Sequence, residues 1–232
     1  MALMDEFKEE RESIKNKSTK EKLSYFWYYY KWWVILPIII VIIGGNLIHT
    51  IATKPKILLD GMYINIDNLD TTHALDTMNT SFVEEQGYDS EKYIIAYNPN
   101  HVYLTEEQKS SAPDSFDDPS LNKYAVQSVV AQLGAKSLNF IVGPTESLLA
   151  LDSNQLFADL TTILTEEQQA LYESYYIYLD EANTIPILID ISKCEALQEV
   201  YDEYYDSIAI GIINDQNEMD IMLKFVDYLM EE

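Results

Sequence analysis

The chain is 232 residues long, 47% hydrophobic and 23% charged, with 7 Gly, 7 Pro and a single Cys, which is enough for one membrane segment and one domain. Its 12% aromatic content, including 18 Tyr, excludes a wholly disordered chain, and a formal net charge of -24 opposes nucleic-acid binding, which draws on clustered Lys and Arg. Cys194, being alone, closes no intramolecular disulfide and says little about redox compartment.

The N-terminal stretch 1–31 is rich in charges and aromatics and reads as a cytoplasmic segment. Its first part is a solvated or membrane-lying helix with too few apolar positions for a core. Tyr25 to Trp33 places eight aromatic rings around Lys31, the composition of a belt at the lipid headgroups. Residues 32–53 follow as a transmembrane helix: Trp32 to Ala52 contains no Asp, Glu, Lys or Arg and spans about 30 Å, the thickness of a bilayer core. Lys15, Lys17, Lys20, Lys22 and Lys31 precede the run and Lys54 and Lys56 follow it, so the positive-inside rule places the N-terminus in the cytoplasm and residues 54–232 outside the cell membrane. The split in charge is sharp: residues 1–31 carry net +1, residues 54–232 net -25. A cleavable signal peptide is the rival reading, although Thr50-Ile51-Ala52 is a poor cleavage site.

Beyond Lys54 the sequence alternates strand-like and helix-like segments, which predicts an α/β domain with a mostly parallel open sheet flanked by helices. Lys56–Ile66 is the first strand. Leu75, Met78 and Phe82 are spaced for one face of a helix, and Lys92–Tyr97 is a second strand that Asn98-Pro99-Asn100 closes as a turn. Residues 110–120 read as a polar loop. Tyr124, Val126, Val129, Val130 and Leu133 then make a helical stripe that stops at Gly134. Leu138–Val142 is a short buried strand, and a helix begins near Gly143-Pro144-Thr145-Glu146. Thr165 and Gln168 form a capping box for a helix running to about Tyr178, and Leu104–Gln108 repeats the residues Leu164–Gln168. Ile185–Ile191 and Ile208–Ile213 are the last strands. A closing helix from about Glu218, with Asp215 as a capping partner, carries Met219, Met222, Phe225, Val226 and Leu229 on one side.

No phosphate-cradling or nucleophile motif occurs, and His49, His73 and His101 stand in no metal-ligand spacing. Asp67-Asn68-Leu69-Asp70 lacks the alternation and central Gly of a calcium loop, and Asp114, Asp117 and Asp118 read as solvated acids. The expectation is a non-enzymatic protein without a cofactor or metal. The best site candidate is the turn Gly143-Pro144-Thr145-Glu146, because ligands of open α/β sheets sit beyond the carboxyl ends of the strands. Asn98, after the preceding strand, is placed to face the same crevice, so the ligand-binding set is Asn98, Gly143, Thr145 and Glu146. A plain strand-to-helix turn is the competing account.

The order of elements over Gln127–Glu167, QSVVAQLGAKSLNFIVGPTESLLALDSNQLFADLTTILTEE, and again over Ile185–Met230, resembles that of extracellular solute-binding proteins of the type 2 periplasmic-binding fold. The resemblance implies a single, reduced solute-binding-like lobe on a membrane anchor in a bacterial envelope. The expected partners are the lipid bilayer and either a small-molecule ligand or a membrane-protein complex, with no nucleic acid. On the runner-up reading, the chain is an accessory or assembly subunit of a transport or secretion complex.

Overall fold

The computed structural model describes residues 18–66, 72–102, 119–152, 155–179, 184–201, 205–214 and 218–231, and the chain divides into two compact units, Met1–Lys54 and Pro55–Glu232. The first unit contains a 35-residue helix, α1 (Thr19–Thr53). A capping box opens it: Ser18 Oγ accepts from the Glu21 amide at 3.4 Å, and the Glu21 carboxylate accepts from the Ser18 amide at 3.0 Å. The helix continues through the aromatic belt and through Pro37. Its part Tyr30–Thr53 is long and apolar enough to cross a membrane, with Ile38, Ile40, Ile42 and Ile43 exposed. In the belt the Lys31 ammonium lies 6.0 Å from the ring centres of Tyr28 and Trp32, within reach of a cation–π attraction.

The second unit runs β1 (Lys56–Ile64), α2 (Thr72–Glu85), β2 (Tyr93–Asn100), α3 (Pro119–Gly134), β3 (Phe140–Pro144), α4 (Thr145–Leu151), α5 (Leu160–Ile163) and α6 (Glu166–Tyr172). A 3-10 turn (Glu173–Tyr175), β4 (Tyr176–Tyr178), β5 (Pro186–Asp190), α7 (Glu195–Val200), β6 (Ile208–Ile212) and α8 (Met219–Glu231) complete it. Among the described residues the strands form one open, mixed sheet of six in the order β2-β1-β3-β6-β5-β4. β1 pairs in parallel with β2 and β3, whereas β6 runs antiparallel to both β3 and β5, and β4 antiparallel to β5. Four strands thus share one direction, as expected of a mostly parallel sheet, and β6 and β4 oppose them. The connection from β5 to β6 contains the short helix α7 and brings the chain back beside β5, where Asp190 aligns with Ala209. Ser192 Oγ accepts from the Ile208 amide at 2.8 Å and holds the start of β6 beside the end of β5.

Both faces of the sheet are covered. On one, Leu59, Tyr63 and Phe140 pack against Leu75 and Phe82 of α2, Leu197 of α7 and Phe225 of α8. Phe225 stands at the centre, 5.0 Å from the Phe82 ring and 5.2 Å from the Phe140 ring. On the other face Met62, Ile64 and Ile141 meet Val129 of α3 and Leu148 of α4. The stripe expected on α3 is divided: Val126, Val129 and Leu133 pack on the sheet, while Tyr124 and Val130 are 66% and 63% exposed.

Two of the expected boundaries move by three residues or more. Asn98-Pro99-Asn100 is not a turn but the end of β2, in register with Met62, Tyr63 and Ile64. The Lys92 and Asn100 carbonyls accept from the Lys56 and Asn65 amides, so the even-numbered residues of β2 bond to β1. The nitrogen of Pro99 therefore faces away from the sheet, where an edge strand loses no ladder bond to proline. Helix α6 ends at Tyr172 instead of about Tyr178, because Tyr176–Tyr178 pairs with β5 as β4. The expected features at Leu104–Gln108, Asp67–Asp70, Asp114, Asp117, Asp118 and Asp215 lie outside the described residues.

Candidate functional site

In an open α/β sheet the crevice forms where connections from neighbouring strands leave in opposite directions. Here that point lies between β1, which connects to β2 on one side, and β3 on the other. Gly143, Thr145 and Glu146 are all at this point, since β3 ends at Pro144 and α4 starts at Thr145.

The chain's own side chains fill this crevice. Asn65, one residue past β1, has φ 57°, a left-handed backbone that Asn tolerates better than most residues. Its Nδ2 donates to the Val102 carbonyl and to Ser147 Oγ, each at 3.0 Å, and its Oδ1 accepts from the Val102 amide at 2.6 Å. One buried side chain thereby ties together the ends of β1 and β2 and the first turn of α4. From the other face of the sheet, the buried Tyr201 hydroxyl reaches the Ile64 carbonyl at 3.0 Å and the Val142 carbonyl at 3.2 Å.

The proposed donors are engaged in the same way. The Thr145 amide donates to the Ser207 carbonyl at 3.0 Å, and the Thr145 and Ser207 hydroxyls share a hydrogen bond of 2.8 Å. Gly143 is buried in register with Ala209, and a Cβ placed on it would stand 2.3 Å from Ile64 Cγ1. The missing side chain makes room for Ile64 rather than for a ligand. Glu146 is exposed.

Asn98 does not join them. It aligns with Met62, which aligns with Ile141, and Thr145 lies four residues beyond Ile141. The offset is about 13 Å along the strands and about 10 Å across them. The Asn98 amide faces Gln132 of α3 at 3.5 Å.

One buried acid, Asp152, and the half-buried Asp227 hold a loop and two helices. Asp152, 2% exposed, accepts from the Phe157 amide at 2.8 Å, and burial lifts its carboxyl above the ordinary range. Burial also raises Asp60, whose Oδ1 has no hydrogen-bond partner. Asp227 accepts from Gln168 Nε2 at 3.0 Å and from the Tyr172 hydroxyl, whose own acidity is lowered by burial first and by that carboxylate second. His101, just past β2, is kept below the usual histidine range by burial. Among the described residues no three His, Cys, Asp or Glu side chains converge as metal ligands, and Cys194 is buried. A separate groove of about 440 Å3 lies at the sheet edge, between α2 and β2.

Asn65, Ser147, Tyr201 and Ser207 are the residues that sequence reasoning missed. Asn65, inside the strand expected over Lys56–Ile66, carried only the signal of its residue type, since Asn tolerates left-handed backbone. Nothing in the local pattern marks Tyr201, which lies 137 residues from its partner Ile64. Comparison with protein-family models, with curated proteins and with solved structures finds no match to the chain.

Proposed function

We propose that the chain is a non-catalytic binding module, carried outside the cell membrane on α1, that engages a protein of the envelope as an accessory subunit of a membrane complex. The observation that carries this reading is the closed crevice: Asn65, Ser147, Tyr201 and Ser207 occupy the hydrogen-bonding positions at the strand ends where a small solute would be held. Binding then falls to the outer surface of the domain. The single open sheet and the order of its elements support the descent of this module from a solute-binding-like lobe, reduced and no longer built around a solute. The exposed isoleucines of α1, the aromatic belt before them and the lysine excess ahead of the run support an anchor with its N-terminus inside.

The test is native mass spectrometry of the full chain extracted from its own membranes in mild detergent. The expected result is an assembly heavier than the 26.8 kDa chain that contains a second protein and is lost when residues 55–232 are removed. A lone chain, or one that carries a metabolite in place of a protein, would contradict the reading.

A further inference from the structure

The groove beside β2 is bounded by Asp76, Asn79, Thr80 and Val83, one face of α2, and by the consecutive residues Tyr93 to Tyr97. Side chains of consecutive strand residues point to opposite faces, so a cavity that touches all five runs along the backbone edge of β2. Among the described residues the edge is open for pairing. Even-numbered residues of β2 bond to β1, which turns the N–H and C=O groups of Ile95 and Tyr97 outward, into the groove. Among the described residues no strand pairs with that edge.

Asn79 supplies the second observation. It lines the groove, is 4% exposed, and neither its Nδ2 nor its Oδ1 has a hydrogen-bond partner. Burying a primary amide unpaired is unfavourable, and a donor and acceptor side by side match the N–H and C=O of another amide. Charge narrows the occupant further. Asp76 stands at the rim, where its Oδ1 accepts from the Tyr97 hydroxyl at 2.8 Å, and residues 54–232 carry net -25. The Tyr93 and Tyr97 rings border the same groove, and Tyr93 already attracts the Lys56 ammonium at 5.7 Å.

We infer that the groove between α2 and β2 takes an extended, basic peptide segment of a partner protein, which adds a strand to the edge of β2 and pairs one of its amides with Asn79. This assignment rests on the reading of the chain as a protein-binding module and places the contact. Main-chain bonds to Ile95 and Tyr97 would supply the ladder, and Asp76 would select a Lys or Arg on the incoming strand.

The test uses the full chain in detergent micelles and two capped probe peptides, one alternating Thr and Lys and one alternating Thr and Glu. Hydrogen exchange at the Ile95 and Tyr97 amides is the readout. The basic probe should slow exchange there by about tenfold in a saturable manner, and the acidic probe should not. Asn79→Leu, close in shape and free of the unpaired amide, should weaken the effect by about tenfold. Thr80→Arg, at an exposed position on the rim, should abolish it while the fold is kept. No protection by either peptide, equal protection by both, or an unchanged response in both variants would overturn the assignment. If the peptide fails while native mass spectrometry still finds a partner held by residues 55–232, the groove is wrong and the function stands. If no partner is found either, both fall.

Discussion

Gly143 shows how a residue type admits two explanations that only packing separates. A glycine in the turn after a strand fits close approach by a ligand, but here Ile64 Cγ1 occupies the space and the Ile64 carbonyl oxygen stands 3.1 Å from the position of a Cβ. Gly143→Ala should therefore lower stability by about 1–3 kcal/mol through overpacking, measured by urea unfolding. An alanine variant as stable as the parent would place open space there. Asp60 offers a second test at this scale, because burial raises its carboxyl above the ordinary carboxylate range. Its contribution to stability is complete below that ordinary range and is lost as pH rises through the higher folded value. Asp60→Asn removes that loss, so the melting temperature of the variant relative to the parent should be higher at pH 7 than at pH 3. A relative melting temperature that does not vary with pH would mean the carboxyl is solvated. Neither the fit of Ile64 nor the burial of Asp60 is legible in the sequence, since both arise from neighbours in space.

At the scale of elements, legibility followed length and period. α8 repeats its apolar residues at helical spacing over 13 residues, and Met222, Phe225, Val226 and Leu229 are buried as that spacing predicts. The capping box at Thr165 and Gln168 forms, with the Gln168 amide donating to the Thr165 hydroxyl at 3.2 Å. The same glutamine also donates to Asp227 of α8, a long-range contact that no local rule foresees. β4 was illegible because three residues carry no period, and its identity comes from pairing with β5. The end of β2 was misread for a related reason. Asn-Pro-Asn has turn chemistry, yet an edge strand admits proline wherever its nitrogen faces outward. The crevice depended on that error, since ending β2 at Tyr97 would have brought Asn98 to the strand ends beside Thr145.

At the scale of the whole molecule the sequence is most informative, because solvent chooses between its two parts. A run of 21 residues without Asp, Glu, Lys or Arg fits lipid, and net -25 over residues 54–232 fits water. The division into Met1–Lys54 and Pro55–Glu232 falls at the junction between the two compositions. The direction of β6 was not legible, because it is set by pairing with β3 and β5, and neither was the closing of the strand ends by Asn65 and Tyr201. The proposed function requires the α/β unit to stand outside the membrane while α1 stays attached. Glu146→Cys tests this most directly: position 146 is exposed on α4, and Cys194, being buried, gives little background. With a membrane-impermeant maleimide, the proposed topology predicts labelling in intact cells and recovery of the labelled chain with the membranes. Labelling only after permeabilisation, or a labelled chain released into the medium, would contradict it.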